Sequence, residues 1–177
     1  MTEDLSRWRE LRRIGAADAN CYLVWDEITR EGALFDGLPD EEPILKLIES
    51  EDVQLRHIFL THEQSIEALR ARFLKVLLHT SAKDALPQHR NRPNDFIHLG
   101  NLRITNRGLV DDKVAYVVGN WPEDAPHVAV VGDLQGLSET IVREKILNLP
   151  PDTLICPRQG ALTTVQRQAA DPSSRPG

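Results

Sequence analysis

The sequence predicts an α/β fold in which strands pack under helices, and three observations predict it. The first half of the chain alternates short apolar runs with stretches of helical period, the pattern of strands interleaved with helices. The second half reads mainly as strands and closes on a helix and one more strand. Within the first half, Ile58-Phe59-Leu60 is an apolar run typical of a buried strand, and Ile66, Leu69 and Phe73 recur behind it at helical spacing. Thr61 and His62 therefore stand where a strand turns into a helix. In open α/β architectures that crest is where ligands and catalytic groups gather.

The elements follow in order. Residues 1–13 are charged, and Trp8 and Leu11 suggest a short amphipathic segment or an opening edge strand. Asn20-Cys21-Tyr22-Leu23-Val24-Trp25 reads as a strand, rich in aromatic and branched residues. After a polar turn from Asp26 to Gly32, Ala33-Leu34-Phe35 is a second strand that ends on the turn signal Asp36-Gly37, and the two strands make a hairpin. Pro43 begins a helix, with acidic residues just upstream to complement its dipole. The 57–61 strand and a 63–73 helix come next, then a strand over 75–79 and a short helix over 81–86.

Composition shifts at Pro87-Gln88-His89-Arg90-Asn91-Arg92-Pro93, a loop with a small basic cluster. Strands are expected over 96–98, 102–105, 113–118 and 127–131, followed by a 138–147 helix with Ser138 as its N-cap. Thr153-Leu154-Ile155-Cys156 is the last strand. From Gln166 onward the chain carries too little apolar surface to bury and is expected to be a flexible tail, leaving one domain over residues 1–165.

Composition narrows the function. At 177 residues, 41% hydrophobic and 27% charged, the chain is long enough and apolar enough for one substantial core. A net charge of −6 argues against nucleic acid or an anionic membrane as the main partner. No apolar run has membrane-spanning length, and Met1-Thr2-Glu3-Asp4 has no signal-peptide pattern, so a cytoplasmic location is expected. Cys21 and Cys156 sit in apolar strand-like runs and are expected to be buried free thiols. Neither belongs to a Cys-x-x-Cys pair of the structural zinc type.

The order of these motifs resembles the metallo-β-lactamase superfamily, in particular its small glyoxalase II-like hydrolases. Asn20-Cys21-Tyr22-Leu23-Val24 is similar to the family's opening strand, and Leu34-Phe35-Asp36-Gly37 to its second. Ile58-Phe59-Leu60-Thr61-His62 is similar to the strand that carries its zinc-binding His-x-His-x-Asp-His signature. Val131-Gly132-Asp133 matches the Gly-Asp of its bridging aspartate. Pro157-Arg158-Gln159-Gly160 matches its Pro-Gly-His-Gly. The resemblance runs over roughly residues 14–165. It implies a metallo-β-lactamase-like αββα sandwich, two mixed β-sheets back to back with helices outside.

The same resemblance implies a dinuclear zinc site, and carried over residue by residue that site is dismantled. His62 keeps the first histidine of the signature, whereas Gln64 replaces the second, Ile66 the aspartate and Glu67 the third. Asn106-Arg107-Gly108-Leu109 aligns with the family's Thr-Pro-Gly-His, which puts Leu109 in a ligand's place. Asp133 is retained, and Gln159 stands for the last histidine. Zinc affinity comes from imidazole, carboxylate and thiolate, and amide oxygens are poor substitutes. The resemblance thus implies a non-catalytic binding or interaction module around His62 and Asp133. The other reading is a hydrolase of thioester or phosphoester type with a reduced mononuclear site of His62, Asp133 and Glu67. No cofactor is expected; zinc or another divalent metal would be held only at low occupancy. The partner stays open between a small molecule, another protein and a second copy of the chain.

The remaining candidates read more simply. Asp133 could cap a turn, and His62 could hydrogen-bond to Asp133. Glu63 and Glu67 could offer carboxylates to a hard cation, but glutamates in a helix's first turns more often complement its dipole. Asp111-Asp112 reads as a solvated turn, and His89, Arg90 and Arg92 as a surface loop. Ile66 reads as core. His57, His79, His98 and His127 show no spacing that suggests ligation. There is no Gly-x-Ser-x-Gly elbow around Ser65 and no glycine-rich phosphate loop.

Overall fold

The computed structural model describes residues 11–16, 19–62, 64–80, 91–111, 113–123 and 125–171. The first sheet has five strands in the order β1-β2-β3-β4-β5: β1 (Leu11–Ala16), β2 (Ala19–Trp25), β3 (Glu31–Phe35), β4 (Gln54–Phe59) and β5 (Leu77–His79). β1, β2 and β3 pair antiparallel, whereas β3, β4 and β5 run parallel, so the sheet is mixed. The second sheet has six strands: β6 (Phe96–Leu99), β7 (Leu102–Gly108), β8 (Val114–Asn120), β9 (Ala125–Gly132), β10 (Leu154–Pro157) and β11 (Thr163–Thr164). Only its β9–β10 pair is parallel. Each sheet therefore holds a parallel seam, β3–β4 in one and β9–β10 in the other.

Period-two alternation sorts the side chains into three layers. Tyr22, Val24, Phe35 and Phe59 of the first sheet meet Ile104, Tyr116, Val118 and Val130 of the second in the central core. On the first sheet's outer face, Cys21, Leu23, Leu34 and Ile58 pack under α1 (Glu42–Ser50) and α2 (Glu67–Arg72). On the second sheet's outer face, Ala115, Val117, Ala129 and Val131 pack under α3 (Glu139–Lys145) and against Val165 of α4 (Val165–Ala170). The result is the two-sheet sandwich with outer helices that the sequence led us to expect. Among the described residues no helix is long and apolar enough to cross a membrane.

The local signals act as their chemistry requires. Pro43 lies in the first turn of α1, where its missing N–H costs nothing, and Ile44 and Ile48 one turn apart turn inward. Ser138 Oγ accepts from Ile141 N at 3.3 Å and starts α3. Asp26, at the β2–β3 turn, accepts from Ile28 and Thr29 amides and also from Asn101 N at 2.9 Å, which joins the two sheets at that end. Gly100 is required there: its φ is +58°, and a Cβ would lie 2.3 Å from Asp26.

Three expectations need correction. The helix expected over 63–73 is confined to Glu67–Arg72, with Ile66 at φ −133° and ψ 27° as its N-cap, because Thr61 and Gln64 are committed to a different set of bonds. The strand expected over 75–79 spans only Leu77–His79. The flexible tail expected from residue 166 is helical up to Ala170. Thr164 Oγ1 caps it through Arg167 N, and Gln166 N donates to Pro151 O at 2.9 Å, so hydrogen bonds fix it without an apolar stripe. The 81–86 helix, Trp8 and residues 172–177 lie outside the described residues. Phe59 is the tightest joint of the central core, 1% exposed and in ring contact with Phe35 at 5.2 Å, His79 at 4.4 Å and Tyr116 at 4.8 Å. Phe59→Ala should cost about 3–5 kcal/mol, measured as a lowered urea midpoint with an unchanged slope.

Candidate functional site

Both parallel seams open at the same end of the sandwich. Four chain turns meet there: Asp36-Gly37 after β3, Leu60 to His62 after β4, Gly132-Asp133 at the end of β9, and Arg158-Gln159 after β10. This is the crest anticipated around Thr61 and His62. The close approach of the two seams depends on Gly132, whose φ is +61° and where a Cβ would fall 2.9 Å from Thr61. Arg158 N donates to Gly132 O at 2.8 Å, and Asn20 N donates to Arg158 O at 2.7 Å. Asn20 Nδ2 also donates to Pro157 O and Gly160 O, and Tyr22 Oη donates to Pro157 O at 2.6 Å. β2 thus holds the 157–160 turn in place.

The centre of the crest is Asp36, whose side chain is 2% exposed. Its backbone is left-handed at φ 64° and its N–H donates to Phe59 O at 2.8 Å, which seats it between β3 and β4. The carboxylate accepts three bonds: Thr61 N to Oδ1 at 2.7 Å, Thr61 Oγ1 to Oδ2 at 2.6 Å, and Gln64 Nε2 to Oδ1 at 2.8 Å. Gln64 Oε1 accepts from Gly37 N at 2.8 Å. The Gln64 amide is therefore engaged at both ends, and its oxygen faces a backbone donor.

His62 sits beside this clamp with its side chain 30% exposed, its Nδ1 3.6 Å from Asp36 Oδ1 and 3.2 Å from Thr61 Oγ1. Its carboxylate neighbour is Asp36, which corrects the expected hydrogen bond to Asp133. Asp133 is exposed, and its Oδ1 accepts from Gln135 N at 2.9 Å, the turn-capping role read as the simpler one. Burial pushes the Asp36 carboxyl above the ordinary carboxylate range, while Thr61, His62 and Arg158 pull against it. Burial lowers the His62 imidazole below its ordinary range; Asp36, and after it Asp133, oppose that, and the Arg158 guanidinium adds to it. Arg158 Nε is buried without a hydrogen-bond acceptor among the described residues.

The other candidates disperse. Glu67 is exposed in the first turn of α2, where it complements the helix dipole. Ile66 is buried under the first sheet's outer layer, as expected of core. Leu109 packs against the α3 layer. Gln159 is exposed at the turn after β10. Asp111 is exposed in a turn at φ 55°, and Arg92 is exposed with its N–H donating to Asp95 Oδ2. Glu63, His89, Arg90 and Asp112 lie outside the described residues. Cys21 and Cys156 are free and buried; burial, then Asp36, pushes the Cys21 thiol up to about 12, so it is inert as a nucleophile.

Sequence reasoning missed the centre of the site. Asp36 was read only as a turn signal, and Arg158 was passed over for its neighbour Gln159. It also treated His57 and His79 as scattered, yet His57 Nδ1 lies 2.9 Å from His79 Nε2 across the parallel β4–β5 pair. The signals were present in an Asp-Gly at a strand end facing Thr-x-x-Gln at the next, and in one histidine on each of two consecutive strands.

No protein-family model and no curated relative matches the chain. Solved structures do. ETHE1 from Myxococcus xanthus is similar with a TM-score of 0.72 at 21% identity, over 89% of this chain and 80% of that one. A metallo-β-lactamase from Staphylococcus aureus subsp. aureus COL gives 0.72 at 15% identity, over 90% of this chain and 61% of that one. The BLEG-1 B3 metallo-β-lactamase gives 0.71 at 21% identity, over 93% and 99%. The fold is the metallo-β-lactamase fold, an αββα sandwich.

That fold implies zinc at the crest, and the donor set does not fit it. Among the described residues no three His, Cys, Asp or Glu side chains converge into a metal-holding group. Gln64 is spent on Gly37 and Asp36, Ile66 and Leu109 are packed, and the charge of Arg158 acts on both Asp36 and His62.

The imidazole shifts set a pH dependence. Burial lowers His57, with Glu31 opposing and Arg56 reinforcing. As pH falls through about 6.5, the ordinary imidazole value, the unfolded chain takes up protons that the folded chain refuses, so stability present at higher pH is lost. His57→Gln should flatten the fall of the urea midpoint between about pH 7 and 5 relative to wild type; an unchanged slope would show that His57 carries none of it.

Proposed function

We propose that the chain is a non-catalytic member of the metallo-β-lactamase fold, a binding or interaction module whose crest has exchanged metal ligation for a fixed polar scaffold. The observation that carries this reading is the Gln64 amide, bonded at 2.8 Å to Gly37 N on one side and at 2.8 Å to Asp36 on the other. A group so engaged cannot turn toward a metal without leaving Gly37 N unpaired, at a cost of about 1–3 kcal/mol, and taking from Asp36 Oδ1 one of its two donors. Arg158 supports the reading from the other side, since a cation whose charge reaches His62 and Asp36 opposes a divalent cation there.

Without a bound metal there is no Lewis acid to polarise a carbonyl or phosphoryl oxygen and no metal-activated water. The residues that remain do not replace it. His62 has a carboxylate neighbour, but the Asp36 oxygens are filled by Thr61 and Gln64, and the thiols are buried. The crest keeps a partly exposed imidazole, the charge of Arg158 and the exposed Asp133 and Gln159 around a rigid floor. Such a surface suits recognition. Its occupant, a small molecule or a protein, is read as a reversible ligand in a cytoplasmic setting.

A panel of thioesters and phosphoesters, assayed with zinc or manganese added, tests the reading against the hydrolase alternative. Wild type and His62→Ala should both match the rate of buffer plus metal. Turnover above that rate which disappears in His62→Ala would overturn it.

A further inference from the structure

We propose that a second, separate site lies on the outer face of the second sheet and binds a phosphate-bearing ligand with a planar ring, of the nucleotide class. The α3 layer covers the β8–β10 part of that face and leaves β6 and β7 open. A groove of about 620 Å³ runs there between β7 and the end of α3, a volume in the range of small-molecule sites.

Its lining is opposite in character to the chain's net charge of −6. Arg103, Thr105 and Arg107 alternate along β7 and therefore share one face, and Lys145 joins them from α3. Glu144 is the single carboxylate among the groove's residues. Arg107 Nη2 donates to Asn148 Oδ1 at 3.0 Å, which fixes the guanidinium, while its Nε–H is buried and meets no acceptor among the described residues. An oriented guanidinium beside a lysine is the arrangement that takes a phosphate.

Beside the groove, two aromatic rings outside its lining stand against Arg103. The Arg103 guanidinium lies over Phe96, 4.1 Å from the ring centroid, and 5.4 Å from that of Trp121. Phe96 and Trp121 are 50% and 42% exposed, unusual for rings of this size. An Arg plane flanked by open aromatic rings is a stacking platform for a planar base. Arg103 and Arg107 stand four positions apart along the strand, a span of about 13 Å. That is too long for one phosphate and suited to a ligand whose ring and phosphates lie at opposite ends.

Calorimetric titration of the full chain with ADP tests this. ADP should bind saturably and more weakly at high salt, inorganic pyrophosphate should compete with it, and adenosine should not bind at concentrations where ADP saturates. Arg107→Gln should weaken ADP by about tenfold. The exposed Glu144→Gln, which leaves the fold untouched, should tighten it by about threefold. Trp121→Ala should weaken ADP by about tenfold and leave pyrophosphate unmoved. No saturable ADP binding by the folded wild type would overturn the proposal, as would an affinity indifferent to both charge substitutions or adenosine binding as well as ADP.

Discussion

The crest depends on one buried carboxylate. Asp36 ends β3 in a left-handed turn, and its two oxygens receive Thr61 N, Thr61 Oγ1 and Gln64 Nε2 from the segment that follows β4. Burying an ionised carboxylate is costly unless it is hydrogen-bonded. Here the bonds that compensate for burial also dictate the path of the next segment. They delay the start of α2 to Glu67, set His62 beside the carboxylate, and turn Gln64 back onto Gly37. Tyr116 Oη adds a bond to Leu60 O at 3.1 Å from the opposite sheet, so both sheets hold the same turn.

Function follows from what that constraint leaves over. In a fold whose crest implies a zinc centre, a ligand position filled by an amide could be a weak ligand or a structural brace. The two bonds of Gln64 make it a brace. Arg158 is held by Gly132 and Asn20 through its backbone, and its positive charge acts on both Asp36 and His62. Asp133 keeps the identity of a ligand while it caps its own turn. These arrangements are compatible with one another, and together they support the proposed reading of the crest as a scaffold.

The sandwich was legible in the sequence because its signals are local. Apolar runs rich in aromatic and branched residues over 20–25 and 114–118 and the helical spacing of Ile44 and Ile48 can be read without knowing what they touch. The ligand replacements at Gln64, Ile66, Leu109 and Gln159 were legible through resemblance. The Asp36 hub was not, because its donors lie 25 and 28 residues away and meet it only through the parallel β3–β4 register. The His57–His79 pair stayed hidden for the same reason, being 22 residues apart on neighbouring strands. The last helix escaped because a threonine cap and backbone bonds hold it, with Val165 as its buried residue.

The central claim is that the crest no longer holds metal, and elemental analysis tests it most directly. Wild type and His62→Ala would be purified without chelator, dialysed against zinc and then against metal-free buffer. Both should retain less than about a tenth of an equivalent of any transition metal, as expected of a site short of the three or four strong ligands zinc requires. A stoichiometric metal in wild type that His62→Ala loses would contradict the account.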